Sequence, residues 1–158
     1  MQVEEMGLEE IVYLENLLEK NYGARIKFKE RLFKTPGDKI WVISDEAFEL
    51  DTSKLRINAL GLYFGKLKKN EEIHLSVEGV QLVGKKANKN IVIINEENLK
   101  KFLQGLDFSA HKLINCEINS FVLVKFDKDF VGTGILRENY IENVLPKSRR
   151  IFIEMKKF

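Results

Sequence analysis

Near the C-terminal end of this 158-residue chain, Lys147, Arg149 and Arg150 follow Pro146 in a short basic run. A guanidinium can fork two hydrogen bonds onto a phosphate or stack on a base, and an ammonium supplies a compact point charge. Proline fixes φ and removes a backbone donor, so the run should enter a sheet at a defined edge. The chemistry these residues suit is the holding of a polyanion. The competing reading is a solvated strand end whose charges pair with Glu138 or Glu142. Tyr140 could offer a base an aromatic face, with core or rim packing as its expected role. Lys100 and Lys101, near the end of a predicted helix, are further candidates, although a helix C-terminus favours cations without any ligand. Lys85, Lys86 and Lys89 form another cluster, for which linker solvation is an equal alternative. Lys66, Lys68 and Lys69 read as a solvated turn, because Glu71 and Glu72 offset their charge.

Covalent and acid–base chemistry have less support. Cys116 has only His74 and His111 as histidine partners, neither in a recognisable motif. As the single cysteine it excludes an internal disulfide and a multi-cysteine zinc site, and it points to a reducing compartment. His74, with no second His or Cys nearby, reads as a surface or half-buried residue rather than a ligand. Asp127 and Asp129 flank Lys128 on a hairpin tip, where carboxylates are turn residues and no pocket shifts their pKa. Gly132-Thr133-Gly134 lacks the third glycine and the following helix of a phosphate-binding loop. Its two glycines share one strand face, where another backbone or a flat ligand could approach closely. No catalytic residue, metal or cofactor is expected.

The elements that must position the basic residues follow from periodicity and turn chemistry. Leu8 to Tyr22 places its apolar residues on one helical stripe, ends at Gly23, and turns an acidic face outward, with six glutamates between Glu4 and Glu19. Ile26 and Phe28 alternate with Lys27 and Lys29, and a hairpin follows, with Arg31 to Lys34 and Lys39 to Ile43 flanking Thr35-Pro36-Gly37-Asp38. Ser44 can cap a short helix to Leu50, which places Trp41 in the core. Strands are expected at Arg56 to Leu60, Leu62 to Leu67 and Ile73 to Val77, then a helical turn from Glu78 to Val83. The polar stretch from Gly84 to Asn90 marks a domain boundary. Beyond it come a buried strand, Ile91 to Ile94, and a helix from Glu96 to Gln104, capped by Asn95 and closed by Gly105. A loop with an extended piece near Leu113 to Ile118 leads to a hairpin with arms Val122 to Phe126 and Phe130 to Leu136. Ile151 to Met155 supplies a last strand.

The formal charge of +2 conceals an asymmetry: 12 basic against 15 acidic residues through Gly84, and 14 against 9 after it. The C-terminal half therefore carries +5 and suits a polyanion partner, with simple solubility as the alternative. No apolar run reaches the roughly 18 residues that a membrane helix needs, and Met1 to Gly7 has no leader-like pattern. A cytoplasmic protein is expected. Abundant Lys, Glu and Ile with two prolines hint at a thermophile.

The order strand, helix, Gly, long loop, strand, turn, strand with Gly-x-Gly and a basic closing segment resembles the PUA domain, named after pseudouridine synthases and archaeosine transglycosylases. Leu60-Gly61-Leu62-Tyr63-Phe64-Gly65-Lys66, the run to Gly84-Lys85-Lys86-Ala87, and Gln104-Gly105 resemble the nuclear import protein seven family of ribosome-biogenesis factors. Val131 to Gly134 and Asn143 to Arg150 are similar to the RNA-binding tail of Sun-family cytosine-5 RNA methyltransferases, whose cofactor-binding domain has no counterpart here. The eukaryotic biogenesis factors have a longer, less basic tail, and an archaeal relative fits better. The resemblance implies an α+β protein with an N-terminal pre-PUA domain, residues 1–84, and a PUA-like β-barrel, residues 85–158. It further implies a non-catalytic protein that binds RNA, a ribosomal precursor or tRNA, through Lys147, Arg149, Arg150, Lys100, Lys101, Lys85 and Lys89. A protein partner would dock on the acidic N-terminal domain. The second reading is an RNA-targeting subunit acting in trans with a modification enzyme such as a cytosine-5 methyltransferase.

Overall fold

A computed structural model describes residues 2–43 and 61–151. The expected helix from Ser44 to Leu50, the strand from Arg56 to Leu60, and the last strand apart from Ile151 lie outside the described residues. Helices and sheets are mixed throughout, an α+β architecture, and the chain divides into two compact units, one up to Ala87 and one from Asn88 onward.

In the first unit, helix α1 (Leu8–Tyr22) buries Leu14, Leu17, Leu18 and Tyr22, whereas Leu8 and Val12, expected on the buried stripe, are exposed. The Tyr22 hydroxyl donates to the Ile73 carbonyl at 3.2 Å, which satisfies the polar tip of an otherwise buried ring. The sheet runs in the order β1 (Glu4–Glu5), β2 (Arg31–Thr35), β3 (Lys39–Ile43), β4 (Leu62–Lys68), β5 (Glu72–Leu75), each neighbouring pair antiparallel. Helix α2 (Val77–Gly84) starts at Ser76, whose hydroxyl accepts from the Gly79 N–H at 2.9 Å.

Two readings of this unit change. Residues 24–30 form no strand. Instead the buried Glu15 carboxylate accepts the Phe28 N–H at 2.8 Å, and the Phe28 ring meets Phe64 edge-on at 5.5 Å. Trp41 is half-buried rather than core: its indole N–H donates to Thr35 Oγ1 at 2.9 Å, and its ring lies 5.1 Å from Tyr63.

The second unit holds a five-stranded sheet in the order β10 (Ile141–Asn143), β9 (Asp129–Leu136), β8 (Phe121–Phe126), β6 (Ile91–Ile94), β7 (Lys112–Ile114). All neighbours are antiparallel except β6 and β8, which run parallel. Among the described residues this sheet is open, with β10 and β7 at its edges, where a closed barrel was expected. Helix α3 (Glu96–Leu103) is capped by Asn95, whose Oδ1 accepts from the Asn98 N–H at 3.0 Å. α3 packs through Phe102 onto the glycine face of β9. A Cβ on Gly132 would stand 2.6 Å from the Phe102 ring, and one on Gly134 would stand 2.5 Å from Ile141. The close approach expected at these glycines is thus made by the protein's own core, not by a ligand.

Candidate nucleic-acid interface

The basic run does not enter the sheet as a strand. Lys147–Arg149 form a 3-10 helix, with the Arg149 N–H donating to the Pro146 carbonyl at 2.9 Å and the Arg150 N–H to that of Lys147 at 3.2 Å. Backbone donors expected to pair along a sheet edge are satisfied locally, and Lys147, Ser148 and Arg149 are left exposed.

Three residues, Asn143, Arg150 and Ile151, fasten this turn to the C-terminal end of α3. The Asn143 side-chain amide donates to the Phe102 and Leu106 carbonyls at 2.9 and 2.8 Å, while its Oδ1 accepts from the Leu145 N–H at 2.8 Å. The Ile151 N–H donates to the Leu103 carbonyl at 2.7 Å. Arg150 Nε donates to the Leu145 carbonyl at 3.0 Å, and its side chain lies over Gly105 so closely that a Cβ there would be 2.4 Å from Nε. Gly105 has φ +82, so it both ends the helix in the left-handed region and clears the space that Arg150 fills. A guanidinium at a helix C-terminus also opposes the negative end of the dipole.

Of the seven expected contacts, Lys147 and Arg149 are exposed, whereas Lys100 and Lys101, in the last turn of α3, are half-buried. Arg150 is half-buried and used by the fold. Lys85 follows α2 in the first unit, whereas Lys89 belongs to the second and stands 4.0 Å from Glu117, so that cluster is divided. Glu142, one expected partner of the basic turn, is held by Arg137, whose Nη2 donates to its Oε1 at 2.9 Å. Tyr140, expected to pack, is 44% exposed. Asn143, the residue that organises the site, carries no charge or motif of its own to mark it in the sequence. The only local signal is its place just before Pro146 and the basic run, since Asn readily bonds nearby backbone.

The remaining reactive groups are placed as follows. The Cys116 thiol is half-buried 3.2 Å from the Ile91 carbonyl, and burial pushes its pKa up. His74 lies in β5, and burial, then Lys68 and Lys66, push its pKa down to about 4. No cluster of three or more potential metal-ligating side chains occurs among the described residues. The acidic face expected around α1 is largely paired: Glu5 with Arg31, Glu10 with Lys34, Glu15 with Lys27 and Glu19 with Arg25.

Solved structures share this fold. Over 94% of this chain and 97% of the other, the fold is similar to a conserved PUA domain protein from Thermoplasma acidophilum, with TM-score 0.64 and 12% identity. A PUA domain from Aeropyrum pernix K1, solved as a tartrate complex, is similar over 91% of this chain and 85% of its own, with TM-score 0.57 and 10% identity. At these identities the likeness concerns the fold, which is that of PUA domain proteins. No family model and no curated protein matches the sequence.

Proposed function

We propose that this chain is a non-catalytic RNA-binding protein that assists maturation of ribosomal RNA for the large subunit. The observation that carries the RNA reading is the exposed Lys147 and Arg149, held by Asn143, Arg150 and Ile151 against the end of α3 that bears Lys100 and Lys101. A hydrogen-bonded turn presenting cations suits the backbone of a folded or single-stranded RNA, recognised more by shape than by long sequence. The ribosomal assignment rests on the resemblance to the nuclear import protein seven family. The likeness of Asn143 to Arg150 to the Sun-family tail supports the second reading, targeting of a cytosine-5 methyltransferase in trans.

Titration of a labelled single-stranded RNA tests the site. With Lys147→Ala and Arg149→Ala combined, loss of two phosphate contacts should lower the log–log salt slope by about 1.4 and weaken binding roughly tenfold at 0.15 M salt. Unchanged affinity removes these residues from the interface. Crosslinking in cells followed by sequencing of the bound RNA separates the two assignments: ribosomal precursors support the first, and tRNA accompanied by a co-purifying methyltransferase the second.

A further inference from the structure

The first unit carries a second basic feature that the turn reading of Lys66 to Lys69 did not anticipate. A cleft of about 570 Å³ is lined by Tyr13, Asp38, Lys66, Leu67, Lys68 and Lys69. Tyr13 projects from α1 with 46% of its surface exposed, although the neighbouring Leu14 is fully buried. Across the sheet, Lys39 stands opposite Lys66, and Lys66 opposite His74. Directly opposed residues share a sheet face and like charges there are destabilising, so the Lys39–Lys66 pair gathers positive charge at a cost. Glu71, expected to offset the lysines, is engaged elsewhere: its carboxylate pairs with Lys20, and its carbonyl accepts from the Asn21 side chain at 3.0 Å. Glu72 stands opposite Lys68, and Asp38 borders the cleft. Three lysines and one carboxylate therefore line one cleft together with an exposed aromatic ring.

We propose that this cleft at the β4–β5 hairpin is a second RNA contact, in which Lys66, Lys68 and Lys69 hold phosphates and Tyr13 stacks on a base. Ammonium groups beside an exposed aromatic ring are the combination that grips single-stranded nucleic acid with little sequence preference. The inference rests on the RNA-binding reading above, and it adds a site in the other unit of the chain.

The test uses the full chain and one labelled single-stranded RNA. The Lys66→Ala, Lys68→Ala, Lys69→Ala triple variant should lower the salt slope by about 2, and Tyr13→Ala should weaken binding about tenfold while Tyr13→Phe keeps wild-type affinity. In the unmodified chain the same RNA should also shift the His74 ring resonance, a readout that needs no folded variant. A wild-type protein that binds no RNA overturns the underlying reading. RNA binding that Lys147→Ala with Arg149→Ala weakens, but that the hairpin variants leave unchanged, overturns this inference alone. So does a His74 signal that RNA at saturation leaves in place, or one that a mononucleotide moves and RNA does not.

Discussion

His74 faces Lys66 in the ladder, and its pKa of about 4 lies well below the roughly 6.5 of an unfolded chain. Between those values the unfolded state binds more protons, so stability falls as pH drops from about 6.5 toward 4. The loss by pH 4.5 should be about 2 kcal/mol. Urea denaturation at pH 7 and pH 4.5 measures it, and His74→Gln should flatten the difference. Glu5, hydrogen-bonded by Arg31, and Glu10, hydrogen-bonded by Lys34, also have lowered pKa values, but their contributions are lost only in the carboxylate range below His74's window. Cys116 supplies a second observable at this scale. A half-buried thiol with a raised pKa should react with iodoacetamide at pH 7.5 more slowly than free cysteine and reach the free rate in denaturant. Labelling at the free rate in the native protein would contradict its placement against the Ile91 carbonyl.

Among the elements, the seat of α3 on β9 is the most sensitive. Gly132→Ala would drive a methyl into the fully buried Phe102 ring and should cost about 1–3 kcal/mol, read as a fall in the midpoint of thermal or urea unfolding. A stability within a few tenths of wild type would mean that the ring has room to move. The elements whose cause lies within their own sequence were legible in it: α1 from its apolar stripe and closing Gly23, α3 from Asn95 and Gly105, and the β8–β9 hairpin from alternation around Asp127 and Lys128. The strands β1 and β10, two and three residues long, carry too little pattern to be read. The parallel pairing of β6 with β8 is set by contacts across some thirty intervening positions, and no local signal encodes it. Glu15 shows the same limit. Read as part of a solvated acidic face, it is drawn inward by the Phe28 amide, a partner in a segment with no regular structure.

For the whole molecule, charge was legible as a total and not as an arrangement. The surplus of 14 basic over 9 acidic residues after Gly84 gives the net charge of that half alone. Composition could not tell that Arg137 would occupy Glu142, or that Lys20 would remove Glu71 from the lysines beside it. Nor could it tell that Arg150 would be half-buried while Lys147 stayed exposed. If Lys100, Lys101, Lys147 and Arg149 each meet a phosphate, affinity for single-stranded RNA should fall with a log–log salt slope of about −3. Adding the hairpin lysines steepens it to about −5. Measuring the slope between 50 and 300 mM salt distinguishes one site from two, and a slope near zero would remove electrostatic RNA binding altogether.

The packing of Arg150 over Gly105 also governs how the chain meets a protease. Trypsin must draw several residues around a basic side chain into an extended form, and here the bonds at Leu145 and Leu103 have to break first. Cleavage after Arg150 should therefore be slow in the native protein. Gly105→Ala, by denying the guanidinium its resting place, should turn the same bond into an early cut, visible as a shortened fragment by mass spectrometry. The glycine that ends a helix would then act as the latch on the far end of the polypeptide.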